Sequence, residues 1–446
     1  MKNRPIELYG IRKFINEESI GGVILIISTI IALIWANSAW YDSYHFIWHD
    51  LKVGYIWDKI ELVTSLHDWI NDGLMALFFF TVGLEIKREI IGGELSSMKK
   101  ASLPIAAAIG GMIVPAVFYA IVVSQNPEYS HGWGIPMATD IAFALGLLAM
   151  LGKRVPISLK IFLTALAIAD DLGAVLVIAF FYTDSIIFID LVYGAVFLLV
   201  LIIANIMGVR KTIFYGLVGI LGVWTAFIFS GVHATIAGVL IALTIPARPK
   251  ISDRACFNRL TTLTKRFKDA QPNDVTLLTK EQSHILSEIE VLNKEAHTPL
   301  QRLELAMHPI TTFFILPLFA LSNAGVHITG NITEMIFHPI SIGIMVGLVG
   351  GKFLGVLLFS TLMIKFKLAK LPEGVTWKHL FGVSFLAGIG FTMSMFISGL
   401  AFEDEAYKQI AKVGIMCASV IAAIIGMVWL SMTKPAEPVN IEELAD

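Results

Sequence analysis

Asp170 and Asp171 are the residues from which any chemistry would start. They are adjacent carboxylates, tenth and eleventh in a 23-residue apolar run from Ile161 to Thr183. As a helix, such a run spans about 35 Å at about 1.5 Å per residue, enough to cross a bilayer core. Each carboxylate at the centre of such a helix costs about 2.5–3.5 kcal/mol on insertion scales. A salt-bridged structural pair would need only one of them, so two acids at this depth read as an ion or proton site.

Lys352 lies in the middle of another apolar run, within Val349-Gly-Gly-Lys-Phe-Leu-Gly355. A lone ammonium so far from both ends of its helix cannot snorkel to the interface, so it needs an anionic partner. The central carboxylates are the obvious ones; which acid it meets stays open at this point. Asp140 is the third buried acid. It follows Gly132, Gly134, Pro136 and Thr139, and the run around Gly388 and Gly390 has a matching interruption followed by Thr392 and Ser394. Helices broken in this way expose carbonyls and dipole ends to ions. Asp72 falls near the outer end of its run and is expected to be wet. At that run's inner end stand Glu85, Lys87, Arg88 and Glu89, and Glu304 and His308 open a later run on the same side. As plain structure this is a charged helix terminus; a histidine among carboxylates can also titrate near neutral pH and sense protons. His233, in Ser230-Gly-Val-His-Ala-Thr235, reads as a satisfied polar group at a helix turn.

The elements that hold these residues are apolar helices. With 446 residues, 56% hydrophobic, 15% charged and a mean hydropathy of +0.75, the chain does not read as a soluble globular protein. The net charge of -2 gives no pointer to nucleic acid. Cys256 and Cys417 have no metal-ligand spacing, and no cofactor is expected. The amino end looks like a signal peptide, but the apolar segments that follow favour an uncleaved first span. Twelve spans are expected, near 19–36, 69–86, 102–123, 129–151, 157–183, 187–207, 212–229, 231–245, 309–326, 339–363, 377–402 and 410–432. Lys and Arg concentrate in alternate loops, ten of them in 246–308, which places those loops and both termini in the cytoplasm. The outer loop 37–68 is aromatic-rich and long enough for a hairpin. The cytoplasmic segment 246–308 is polar, with an amphipathic helix expected over Glu281–Ala296 that Pro299 ends. The whole chain, 1–446, reads as one all-α polytopic membrane domain.

The strings Ile70–Glu89, Ala138–Gly146, Leu163–Ala174, Ser230–Thr235, Leu316–Gly325 and Gly388–Ser394 resemble the bacterial NhaA-type sodium/proton antiporters, in the family's order from about residue 10 to 430. The resemblance implies a secondary transporter rather than an enzyme, with inverted repeats and two unwound helices crossing near the midplane. It implies export of Na+ and of Li+ in exchange for H+ by alternating access across the inner membrane, pH-regulated, with a net charge moved. By the same resemblance Asp170 and Asp171 bind the ion, so that Na+ sits at Asp171 and Asp170. Asp140, Thr139 and Lys352 support the site, with Lys352 near Asp170. Glu85, Arg88, Glu89, Glu304 and His308 match positions linked to pH sensing and the funnel to the site. The outer loop matches a dimerising hairpin, hence a homodimer in the lipid bilayer. Two features depart from the family: 246–300 is longer than the usual connector, and Phe353 stands where a proline is expected. Rival classes fit less well. An intramembrane aspartyl protease would need Gly-x-Gly-Asp contexts, whereas Ala169 precedes Asp170 and Thr139 precedes Asp140. A proton-coupled symporter would share most features and differ in carrying an organic solute.

Overall fold

The computed structural model describes residues 6–57, 60–183, 186–270, 277–328 and 330–433. Lys2, Arg4 and the last residues of the chain, which entered the loop-charge reading, lie outside the described residues. The fold is a helical bundle plus one two-stranded hairpin, β1 (Lys52–Trp57) paired antiparallel with β2 (Ile60–Ser65), within the loop expected to hold one. Helix α1 (Ile6–Ala36) precedes the hairpin. After it run α2 (66–92), α3 (Met98–Val122), a 3₁₀ segment (Pro127–Met137) leading into α4 (Ile141–Met150), and α5 (Ile157–Phe181). Then come α6 (Phe188–Ile206), α7 (Thr212–Ser230) and α8 (Ala234–Thr244), with Gly231 turning between the last two at φ 80°. A paired α9 (Asp253–Asp269) and α10 (Lys280–Ala296) stand apart. The chain closes with α11 (Pro299–Asn323), α12 (Pro339–Lys365), α13 (Trp377–Leu386), α14 (Phe391–Ala401) and α15 (Glu405–Met432).

Among the described residues, seven helices are long and apolar enough to cross a membrane, or nine if each bent pair counts as one span. The first and eighth expected spans contribute only the shorter apolar stretches Ile20–Ala36 and Ala234–Thr244, and the second, 69–86 in the charge-ended α2, is not among the seven or the nine. Helix α6 is apolar around nearly its whole circumference, with Ile189, Val192, Val196, Leu199 and Ile203 all exposed. A surface like that suits lipid and not water. The bends are local. Pro127–Met137 meets α4 at 46°, and α13 meets α14 at 44°. Glycine and proline at these joints withhold helix-forming contacts, so the breaks fall where the sequence interrupts itself.

Two boundaries differ from expectation. Helix α11 starts ten residues before 309, because Thr298 and Gln301 form a capping box and Pro299 takes the first helical position, where its missing N–H costs nothing. Glu304 and His308 therefore lie inside a helix. Helix α9 was not anticipated at all; among the described residues its buried face joins α10 in a small separate core of Leu263, Ala270, Ile285 and Leu292. Helices α3 and α12 touch backbone to backbone, since a Cβ added at Gly110 would meet the Gly355 carbonyl at 2.4 Å. That close approach, with a π-helical turn at Val346–Gly351, brings the α12 midpoint up to α5.

Candidate functional site

The two broken helices cross and hydrogen-bond to each other. Asp140 N donates to the Ile389 carbonyl at 2.6 Å, and Thr139 Oγ1 donates to the Ala387 carbonyl at 2.8 Å. Ser394 Oγ returns a bond to the Ile135 carbonyl at 2.8 Å. Unwinding leaves the first N–H groups of α4 and α14 without intrahelical partners, and Asp140 satisfies both ends. Its Oδ1 accepts from Phe143 N (2.9 Å), at the start of α4. Its Oδ2 accepts from Thr392 N (3.0 Å) and Thr392 Oγ1 (2.5 Å), at the start of α14. One buried carboxylate thus caps two helix N-termini, where their dipoles favour negative charge. Gly388 is required by the close approach of α12 to the crossing, since a Cβ there would lie 2.4 Å from the Leu348 carbonyl.

Asp170 and Asp171, on the middle of α5, have no solvent exposure at all, and neither has Lys352. Lys352 Nζ donates to Asp170 Oδ2 and to the Met137 carbonyl at the end of the 3₁₀ segment. The acid left open by the sequence is therefore Asp170, as the family resemblance implies. Phe353 points the other way, stacked on Phe385 at a centroid distance of 4.1 Å and edge-on to Phe381. The departure from proline there is absorbed by aromatic packing and leaves the lysine's contacts intact.

Asp171 differs from its neighbour. Neither of its carboxylate oxygens has a hydrogen-bond partner, and Asp170 Oδ1 has none either. Burying an ionised carboxylate without a partner is expensive, so such a group must take up a proton or a cation. Asp171 lines a narrow cavity with Asp140, Thr164, Thr312, Glu85 and His308. Those hydroxyls and carboxylates are hard oxygen donors of the kind alkali cations prefer, and sodium would enter as cargo rather than as a resident metal. Among the described residues, no group of three or more His, Cys, Asp or Glu side chains is arranged to hold a metal ion.

The cavity leads toward the end of the bundle that carries α9 and α10. There Arg88 Nε lies 2.8 Å from Glu304, and its other nitrogen 3.1 Å from Glu89. Glu89 is buried and also accepts from Glu94 N at 2.7 Å. The five residues read as the sensing group thus divide. Glu85 and His308 line the cavity itself, whereas Arg88, Glu89 and Glu304 form an ion-paired rim joining α2 to α11. His233 stands at the turn before α8 with its Nε2 2.7 Å from the Tyr182 carbonyl, a satisfied polar group as expected. Asp72 is exposed at the opposite end. Sequence reasoning missed Thr164 and Thr312, since a lone threonine in an apolar run gives no signal until its neighbours are known. It also missed Lys412, buried near the start of α15, because the expected span began at 410 and placed this lysine at its interfacial end, whereas the helix starts at Glu405.

Comparison with known proteins bears on the family. The family model described as Na+/H+ antiporter 1 matches residues 12–430. A protein of Oleidesulfovibrio alaskensis named Na(+)/H(+) antiporter NhaA is 48% identical over 439 residues, covering 98% of this chain and 97% of its own. Na(+)/H(+) antiporter NhaA 1 of Psychromonas ingrahamii is 49% identical, covering 92% of this chain and 93% of its own. A third, from Acidithiobacillus ferrooxidans, is 48% identical over 94% of this chain and 96% of its own.

Proposed function

As the chain belongs to the Na+/H+ antiporter 1 family, we propose that it exports Na+, and Li+ with it, in exchange for H+ across the bacterial inner membrane. Asp171 is the principal ion ligand. Its two unpartnered, buried oxygens, opening on a cavity of hydroxyls and carboxylates, are the observation that carries this reading. Asp170 is the second carboxylate, held by Lys352 until the ion or proton arrives. Protons and sodium compete for the same oxygens, so loading one expels the other. Asp140 holds the two broken helices together, and Thr139 ties their joint.

Alternating access then turns competition into exchange: the site opens to one side at a time, through rocking of the elements around the crossing. The architecture implied is twelve spans in inverted repeats with both termini in the cytoplasm, where α2, α8 and the short apolar stretch Ile20–Ala36 of α1 serve as spans. If two protons enter per sodium, one net charge moves and the membrane potential contributes about 2.3 kcal/mol per 100 mV. Glu85, Arg88, Glu89, Glu304 and His308 form the cytoplasmic funnel and its pH sensor. The β-hairpin joins two copies as a homodimer.

The experiment is sodium-driven proton release. Wild-type protein in everted vesicles dissipates a pre-formed pH gradient when sodium is added, read by a pH-sensitive dye. Asp171→Asn inserts normally and leaves the dye signal at background. Recovery close to wild type would remove Asp171 from the ion site, and organic-solute uptake in place of sodium exchange would favour the symporter class.

A further inference from the structure

The β-hairpin end of the bundle carries a row of imidazoles that the ion site does not use. The rings of His45 and His49 lie 5.2 Å apart, and those of His49 and His67 lie 4.7 Å apart. His45 is exposed and 3.1 Å from Asp50. His67 sits in the first turn of α2 and is held at both ring nitrogens. Asn323 Nδ2 donates to Asn71 Oδ1 at 3.0 Å, which turns the Asn71 amide so that its Nδ2 donates to His67 Nε2 at 2.9 Å. Nδ1 therefore carries the ring's proton and donates to Ser322 Oγ at 2.8 Å. Ser322 and Asn323 are the last residues of α11. The ring thus ties the start of α2 to the end of α11, the same two helices that Arg88 and Glu304 join at their far ends.

This network accepts only a neutral ring. A second proton makes both ring nitrogens donors, so Nε2–H would face the Asn71 NH2 group. Asn71 can offer its oxygen to the ring only by turning its own NH2 toward the Asn323 NH2. That group cannot swing freely, because it also holds the Phe319 carbonyl. His67 lines a vestibule, a cavity it shares with His49, Asp68, Glu405, Lys408 and Lys412. We propose that His67 is an acid-operated latch between α2 and α11: neutral, it locks the two helices, and a proton taken up from the vestibule releases them. On the orientation proposed above, the proton comes from the outer medium.

The surroundings have the sign such a latch needs. Burial, then the charge of Lys412 and the neighbouring His49 oppose a proton on His67; Lys408 adds to them, Asp68 alone favours it, and the latched ring is brought down to about 3. His49 is lowered too, by burial first, then Lys412 and His45, against Glu405 and Asp68. Asp72, Lys52 and His233 complete the vestibule's titratable lining. A freed imidazole titrates near its ordinary value of 6.5. Between that value and about 3 the released form holds a proton that the latched form lacks, so acid favours release. The released population grows about tenfold per pH unit well below 6.5 and is pH-independent well above it.

Hydrogen exchange of the α2 amides at 69–75, corrected for the intrinsic pH dependence of exchange, reads that population in the full-length protein in nanodiscs. Wild-type protection is expected to fall about fivefold from pH 6.5 to 5.5, about tenfold more from 5.5 to 4.5, and to be nearly flat above pH 7. His67→Asn, which keeps a donor toward Ser322 and cannot titrate, loses the slope. Ser322→Ala keeps the titrating ring, so protection drops at every pH and the slope remains. A slope unchanged in His67→Asn, its absence in wild type, or its loss in Ser322→Ala would each overturn the latch. The measurement is structural, so it stands or falls separately from sodium transport.

Discussion

Asp170 and Asp171 are neighbours in one helix, yet the residues around them give them different tasks. Lys352 neutralises Asp170 and leaves Asp171 to a mobile cation or proton. A buried pair of this kind contributes little net stability, but breaking it from one side leaves an uncompensated charge. Lys352→Ala is therefore expected to cost about 3–5 kcal/mol, seen as a lowered melting temperature in detergent, and to shift the pH profile of exchange. Adding Asp170→Asn to that variant should restore much of the melting temperature, because both charges are then gone. Unaltered melting and transport in Lys352→Ala would make the lysine peripheral to the site. The need of Lys352 for an acid was legible from its depth in an apolar run. The choice of Asp170 was not, since it depends on α12 lying against α3 and α5, a packing decided by Gly110 and Gly355 and not by any local pattern.

At the scale of elements, the crossing rests on three things: two interrupted helices, one shared carboxylate and glycines where backbones meet. The interruptions were visible as Gly132, Gly134, Pro136, Gly388 and Gly390. The crossing itself was not, because its bonds join residues as far apart in sequence as Asp140 and Thr392. Helix α9, by contrast, was readable and missed, since Cys256, Leu260, Leu263 and Phe267 recur at helical spacing behind the Ser252 cap. Two glycines on either side of the α14 start separate close approach from mere presence in a helix. Gly388→Ala must push a Cβ into the Leu348 carbonyl, whereas nothing lies within 4 Å of a Cβ at Gly399. Gly388→Ala should lower both the melting temperature and sodium-dependent dye recovery. Gly399→Ala should leave exchange unchanged and stabilise by about 0.5–1 kcal/mol, the usual gain for alanine over glycine in a helix. Equal effects at the two positions would mean that the crossing tolerates displacement.

For the whole molecule, the question is how much of the chain the ion site needs. The α9–α10 pair has its own small core and its own ion pairs, Arg266 with Glu288 and Arg259 with Glu295. Its base is closed, since Lys250 N donates to the Glu295 carbonyl at 3.1 Å and Leu300 N to the Pro246 carbonyl at 3.1 Å. The chain therefore leaves and rejoins the bundle at nearly one point, and a short Gly/Ser turn can replace 251–294 without stretching either neighbour. What the pair does contact by continuity is α11, whose first turns carry Glu304 and His308. Lys87 adds a second tie, donating to the Leu243 and Ile245 carbonyls just before the segment begins, at 2.7 and 2.5 Å. Removing the pair should leave the membrane bundle folded and the crossing untouched. The sodium concentration for half-maximal dye recovery should then stay within about twofold, a change worth under about 0.5 kcal/mol. The pH of half-maximal activation, set by charges at the mouth of the funnel, should move instead. An altered sodium requirement with an unmoved pH profile would make α9 and α10 part of the ion's path and not of its control.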